Sequence, residues 1–419
     1  MSQTGRRWLV GVLAAAIVLI AVGVWLAPRL QLAWHLRAAR AALDEGRLPR
    51  ALGHLDHALA IDPQSPEAHF LRAQLARRQL DYPRAQEALD QARRLGWPTE
   101  DVDFEQLLIA AQRGDLPRTV PTLLALIDDD DPRSALILEA LAQGYQTTYR
   151  YPDAHAALER LLRDRPDQVL ARYRRGRVLD HLGQFAEAQR DYERALELDD
   201  EYSDARLALG DLLLRLKRFD AAAPHFERLY QGQADPSAAI LVGLARCRRA
   251  QGRRDEAREL LEKALPTPKS AKTRQDVGGL CERALVEIED AHPERGQAFL
   301  ERALELAPAD LQANDLFVQC LEQQGKKDAA RMARQNAEQA RADLDLLKKL
   351  GRRAIDHPGD VEARCDASEL ALKLGDGPQA LRWLTGVIQQ APDHRRAHQL
   401  LVKYYRQTGD LERAAMHEK

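Results

Sequence analysis

The sequence predicts an all-α protein, an α-solenoid of about eleven helix–turn–helix units preceded by one transmembrane helix. Three observations carry that prediction. Ala, Leu, Arg and Glu dominate the 419 residues, charged residues make up 30% and aromatics only 5%, which is the profile of an almost wholly helical chain. A pattern of glycine, alanine and large apolar residues returns every 34 residues or so. Finally, one stretch near the N-terminus, Trp8 to Ala27, carries no charge at all.

That stretch comes first in the chain. A short basic tail, residues 1–7, holds Arg6 and Arg7, and residues 8–27 follow with close to the roughly 20 apolar residues that a bilayer-spanning helix needs. Trp8 and Trp25 sit near its ends, where interfacial aromatics belong. The rival reading is a cleaved secretory signal, for which "AVG" at Ala21–Gly23 is a loose fit; a retained anchor in contact with the lipid bilayer accounts better for the length of the run. Basic residues flank both sides, Arg6 and Arg7 before and Arg29, Arg37, Arg40 and Arg47 after. The count alone does not orient the span, but long translocated domains escape it, and the reading adopted puts the repeats on the exported side of a single-pass membrane protein, with the cytoplasmic side as the alternative.

The repeats occupy the rest. Aligning "GRLPRALGHLDHALAIDP" (Gly46–Pro63) with "GQFAEAQRDYERALELDD" (Gly183–Asp200) and "GRRDEARELLEKALPTP" (Gly252–Pro268) puts one small residue in register eleven times: Ala51, Ala85, Thr119, Ala154, Ala188, Ala222, Ala257, Gly296, Ala330, Ala380 and Ala414. Successive steps are 34, 34, 35, 34, 34, 35, 39, 34, 50 and 34 residues. In the fifth unit, Gly176 and Ala188 are small enough to let two helices approach, and Ala188, Tyr192 and Ala195 form one apolar stripe. Gly183 stands where a first helix must end. Pro63, Pro166, Pro308 and Pro392 recur twelve residues after the small residue, where a second helix must stop. A single pair cannot bury both its faces, so neighbours must stack into a one-dimensional core.

The irregular steps mark the organisation. Pro117 and Pro121 should delay the second helix of the third unit, and "LPTPKSAKT" at Leu265–Thr273 reads as a long connector. The 50-residue step adds about four turns of helix: in Asn336–Ile355 the residues Ala340, Leu344 and Leu347 keep helical spacing, and Asp345 precedes Lys349 by four. The expected domains are therefore a repeat array of about nine units over 28–338, an extended helix insert over 339–357, and terminal units over 358–419, the last one truncated. The insert either packs back on the array or meets another chain, so self-association through 336–355 is one of its two readings.

This pattern resembles the tetratricopeptide repeat family, over roughly Leu32 to the C-terminus. The resemblance implies a right-handed superhelix whose first helices line a concave, peptide-binding groove. By the family's register the inward positions hold Leu36 and Arg40, Phe70 and Gln74, Phe104 and Leu108, Glu139 and Gln143, Tyr173 and Arg177, Leu207 and Asp211, and Val242 and Arg246. From these, Arg40, Phe70, Gln74, Phe104, Tyr173, Arg177, Asp211 and Arg246 are the candidate groove contacts. No unit carries the Lys–Asn pair with which chaperone-binding members clamp a terminal carboxylate, so peptides with apolar anchors and acidic character suit this groove better. The layout is similar to anchored bacterial tetratricopeptide proteins, which implies a bacterial cell-membrane scaffold with a protein or peptide partner; the alternative is a non-catalytic subunit of a cell-envelope enzyme complex.

Catalytic and cofactor patterns are missing from the sequence. There is no G-x-S-x-G, H-E-x-x-H or G-x-x-x-x-G-K-[ST]. Cys247, Cys281, Cys320 and Cys365 lie far apart without C-x-x-C spacing. The pairs His54/His57 and His394/His398 have no third ligand close by, and the acidic run Asp128–Asp131 lacks the alternation of a cation loop. The reading is no enzyme, no metal and no cofactor. A formal net charge of −2 with both signs interspersed gives no footprint for nucleic acid.

Overall fold

The computed structural model of the chain describes residues 26–127, 133–148, 150–232, 234–273, 276–357 and 359–418. The 8–27 run lies outside the described residues except for its last two, which open helix α1, and the acidic run at 128–131 lies outside them too. No described helix is long and apolar enough to cross a membrane.

Among the described residues the regular elements are helices, and they come as eleven pairs. The pairs are α1 (26–44) with α2 (Leu48–Ile61), α3 (Pro66–Arg78) with α4 (Tyr82–Arg94), and α5 (Thr99–Gln112) with α6 (Leu116–Ala125). Next come α7 (Arg133–Thr147) with α8 (Tyr151–Asp164), α9 (Val169–His181) with α10 (Phe185–Leu198), and α11 (Ser203–Arg215) with α12 (Phe219–Gln231). The remainder are α13 (Ala238–Ala250) with α14 (Arg254–Ala264), α15 (Val277–Glu289) with α16 (Pro293–Leu306), α17 (Leu311–Gln323) with α18 (Lys327–Asp356), α19 (Val361–Lys373) with α20 (Gly377–Gln390), and α21 (Arg395–Gln407) with α22 (Leu411–Met416). Two compact units divide them, one ending at Leu212 and the other beginning at Leu213, inside α11.

Each pair is built by the same local chemistry. Ala188, Tyr192 and Ala195 of α10 are buried in a row, and Tyr192 lies so close over Gly176 of α9 that a Cβ there would sit 2.6 Å from its ring. The turn between the two helices takes a left-handed residue five positions before the small one. Glycine supplies it at Gly46, Gly183 and Gly252, whereas Leu80 (φ 64°), Lys217 (57°) and Ala291 (62°) hold it with a side chain attached, at a cost of about 1–2 kcal/mol each. The four recurrent prolines share a further device: their carbonyls accept a hydrogen bond from the polar residue six positions on. The donors are His69 to Pro63 (3.0 Å), Arg172 to Pro166 (2.9 Å), Asn314 to Pro308 (3.0 Å) and His398 to Pro392 (2.7 Å), which ties each connector to the helix that follows.

Three local expectations are corrected or sharpened. Helix α6 does not start late: it begins at Leu116, three residues before Thr119, because Pro117 falls in the first turn where its missing N–H is no loss. It is short instead, 10 residues with Pro121 inside. The 265–273 connector carries a 3-10 turn at Pro268–Ser270 and is pinned by Arg302, which donates to the Ala271 carbonyl at 2.9 Å. Helix α18 runs 30 residues without a break; its Ala340 and Leu347 pack with Ala367, Ala371 and Ala380, leaving Met332 and Leu346 exposed.

The first unit departs from a simple neighbour-on-neighbour stack. Leu36, Leu43 and Leu55 of the first helix pair share one core with Val169, Leu170, Ala195 and Tyr202, more than a hundred residues on. The turn between α1 and α2 abuts the start of α9: the Val169 amide donates to the Glu45 carbonyl at 3.0 Å, and Arg47 donates to the Leu198 carbonyl at 3.2 Å. Gly46 is confined between them, since a Cβ there would lie 2.7 Å from the Leu170 nitrogen.

Candidate functional site

That closure leaves a part-enclosed cavity of about 280 Å³ in the first unit. Its walls are the end of α3 and the turn after it (Arg78, Gln79, Leu80), Gln143 and Gln146 of α7, and Leu170, Tyr173, Arg174 and Arg177 of α9. Leu48 and Pro49 from α2, with Tyr202 and Asp204 at the start of α11, complete the rim.

Two of the lining residues, Arg78 and Arg174, form a cationic floor that belongs to a buried ionic cluster joining four first helices. Glu139 of α7 accepts from Arg78 Nε at 3.1 and 3.2 Å and from Arg174 Nη1 at 3.2 Å. Arg174 also donates to the Arg78 carbonyl (2.9 Å) and Arg78 to the Leu43 carbonyl (3.1 Å). Behind them Arg77 of α3 is paired with Glu105 of α5, both side chains fully buried. With its amide turned to suit both partners, Gln112 accepts from Arg77 Nη1 (2.9 Å) and donates to the Arg77 carbonyl (3.3 Å). Burial alone would push the Glu139 carboxyl up, but Arg78, Arg174 and Arg77 outweigh it and hold its pKa below the ordinary value. Burial lowers the pKa of Arg174 despite the attraction of Glu139. Three guanidiniums against two carboxylates leave the floor with a positive excess.

Tyr173 and Arg177 are one helical turn apart on α9 and both face the cavity. The Arg177 guanidinium lies 6.0 Å from the centre of the Tyr173 ring, and the ring meets Tyr202 edge-on at 5.3 Å. Burial pushes the Tyr173 hydroxyl pKa up, against the pull of Arg177.

The other sequence-derived candidates are dispersed. Phe70 is buried and stacks on Trp97 at 5.0 Å between the second and third helix pairs. Phe104 is half-buried against the apolar cluster of α5 to α7. Arg40 is exposed and paired with Glu67 at 2.7 Å, Gln74 is half-buried, and Asp211 is exposed on α11. In the second unit, Arg246 is held by Glu282 (3.1 Å) and by the Gly278 carbonyl (3.3 Å). Sequence reasoning missed Glu105, Arg174, Arg77 and Arg78. A signal was present: Glu105 and Arg174 take the same repeat position, each directly after an aromatic, with opposite charges where the second and fourth helix pairs carry Leu71 and Ala140.

One constellation in the second unit looks catalytic and is not built that way. Cys365 Sγ lies 3.9 Å from His394 Nδ1, and His394 Nε2 lies 3.0 Å from Glu362. The thiol is fully buried, and burial pushes its pKa up to about 11, the reverse of an activated nucleophile. His394 Nδ1 instead caps α21, accepting from the Ala397 amide at 3.3 Å. Among the described residues no group of three or more His, Cys, Asp or Glu converges to hold a metal ion.

An array of helix pairs repeating at about 34 residues defines the class of α-solenoid repeat proteins. The tetratricopeptide repeat profile matches residues 36–98, 70–135, 138–188, 181–239 and 365–417, and a second tetratricopeptide profile matches 216–271. The chain belongs to the tetratricopeptide repeat family. Proteins of this family are typically scaffolds for protein interaction.

Among curated relatives, DnaJ homolog subfamily C member 3 of Rattus norvegicus is 26% identical over 305 residues, covering 70% of this chain and 51% of the rat protein. The Bos taurus protein of the same name is 25% identical over 240 residues, 57% of this chain and 40% of that protein. The chain thus spans about half or less of the length of these relatives. Among solved structures, PilW, a widely conserved type IV pilus biogenesis factor, is similar at 18% identity over 48% of this chain and 91% of that chain, with a TM-score of 0.42.

Proposed function

We propose that the protein is a non-catalytic, membrane-tethered scaffold that recruits or assembles other proteins, binding a partner polypeptide at the first-unit cavity. The observation that carries this reading is the meeting of Tyr173, Arg177 and Gln143, three inward positions of two first helices, around one part-enclosed cavity. Aromatic and arginine side chains together are what interface hot spots use, because they combine area with planar donors. In this reading residues 8–27 anchor the chain in the bilayer and the repeats sit on the exported side.

The test is a crosslinking pull-down from native membranes. Replacing Tyr173 and Arg177 together by Ala should weaken capture of the native partner at least tenfold, on the order of 1.4 kcal/mol, while circular dichroism stays helical. Because Tyr173 also packs on Tyr202, the exposed Arg177→Ala change is made separately and should weaken capture without lowering the melting temperature. Unchanged capture would mean that the partner uses another face. The anchor is checked by alkaline carbonate extraction and N-terminal sequencing; a soluble product starting near Val24 or Pro28 would refute it.

A further inference from the structure

We infer that the first-unit cavity receives the side-chain carboxylate of an acidic residue that stands next to an apolar residue in the partner's polypeptide. This rests on the groove reading above and adds the chemistry of what enters it.

Charge is the first argument. Arg174 and Arg78 are committed to Glu139 and to backbone carbonyls, and the cluster they belong to already carries a positive excess. Arg177 is different. It is exposed, its described contacts are the ring and the hydroxyl of its own-helix neighbour Tyr173, and it forms no ion pair among the described residues. The acid on the cavity rim, Asp204, makes no salt bridge with it. A guanidinium over an aromatic face, with a cationic floor beneath it, suits an incoming carboxylate, since the fork accepts it through two parallel hydrogen bonds.

Shape is the second argument. The ionic floor closes the cavity from below, and 280 Å³ holds a side chain or two rather than a folded element. Glutamine amides come from two elements, Gln79 just after α3 and Gln143 and Gln146 on α7, the latter two spending one N–H each, on Thr147 (3.5 Å) and on the Ala142 carbonyl (3.4 Å), and keeping the other. Each offers a donor and an acceptor, which suits a backbone running past the mouth while one side chain plugs the end. A side-chain carboxylate fits that arrangement better than a chain terminus.

Leu80 supplies the apolar half. It holds φ 64° at a turn where seven units place glycine, and its side chain is 41% exposed at the mouth. A large side chain kept at a left-handed position gains little by its own burial there; contact with a ligand gives it a use.

The probe is an array of N-acetylated, C-amidated decapeptides in a Gly/Ser frame, with the two central residues varied over all pairs, bound by the full-length protein in detergent. Apolar–acidic pairs should give at least fivefold more signal than the same pairs with Asn or Gln in place of the acid. Arg177→Glu should invert the preference toward Lys and Arg. Leu80→Gly should erase the apolar preference while leaving the melting temperature unchanged or raised, because glycine suits that φ. Equal signal for acid and amide pairs would overturn the inference. So would an Arg177→Glu protein that still prefers acids, or binding only to control peptides with a free C-terminal carboxylate. If the array shows no acid preference but Arg177→Ala still loses the native partner, the groove stands and its chemistry falls; if the native partner is retained, the groove itself falls.

Discussion

Glu139 is the residue on which the first unit should depend most. Its carboxylate is buried to 1% exposure and is shared by Arg78 and Arg174 within 3.2 Å, with Arg77 at 3.9 Å. Glu139→Gln keeps the shape, removes the charge, and turns an acceptor into a donor facing Arg78 Nε. Three buried guanidiniums would then share Glu105 alone. Removing one partner of a buried ionic group costs about 3–5 kcal/mol, which for a unit of this size lowers the melting temperature by about 10 °C. The exposed Arg72–Asp56 pair is the control, where Asp56→Asn should change stability by less than about 0.5 kcal/mol. Thermal denaturation followed by circular dichroism, with amide exchange resolved on α3, α5, α7 and α9, would locate the loss. The sign of the pH dependence follows from the same geometry. Because the folded pKa of Glu139 lies below its ordinary value of 4.5, its stabilisation is complete above that pH and is lost as pH falls through the lower folded value. A Glu139→Gln protein within about 1 kcal/mol of the parent would show that the cluster is solvated and would refute the reasoning.

Glycine substitutions test the packing of the helix pairs. Gly243→Ala in α13 would place its Cβ 2.2 Å from the Phe226 ring and should cost about 1–3 kcal/mol, whereas Gly53→Ala in α2 meets nothing within 4 Å and should stabilise by up to about 1 kcal/mol; equal melting temperatures would contradict the pair. The C-terminal helix should be acid-sensitive. His398 gives its Nε2 proton to the Pro392 carbonyl and faces His417 Nδ1 to Nδ1 at 2.9 Å, with Tyr405 stacked on His417 and Arg413 over Tyr405. Burial, and then His398, lower the His417 pKa from 6.5, so this contact is fully present above that pH and lost as pH falls below it. Amide exchange of α22, corrected for intrinsic rates, should be faster at pH 5.5 than at pH 7.5, and equal protection would count against it.

The helical class, the eleven-fold repeat and the register of each pair were legible in the residues alone, because the packing of the two helices within a pair, such as Tyr192 over Gly176, lies within about 34 positions. Gly176 under Tyr192 and the prolines that end second helices act locally, so a period in the sequence reports them directly. Pro117 misled about α6 because its effect depends on which turn it occupies. The return of the first helix pair onto α9 was not legible. Arg47 meets Leu198 across 151 residues and Arg78 meets Glu139 across 61, and a nearest-neighbour pattern carries no information about contacts between units that do not adjoin. That return also determined what the inward positions became: the same register placed Phe70 in a buried stack and Tyr173 and Arg177 on a cavity wall. Helical periodicity assigns a face to each side chain, but only the tertiary path of the chain decides what comes to cover that face.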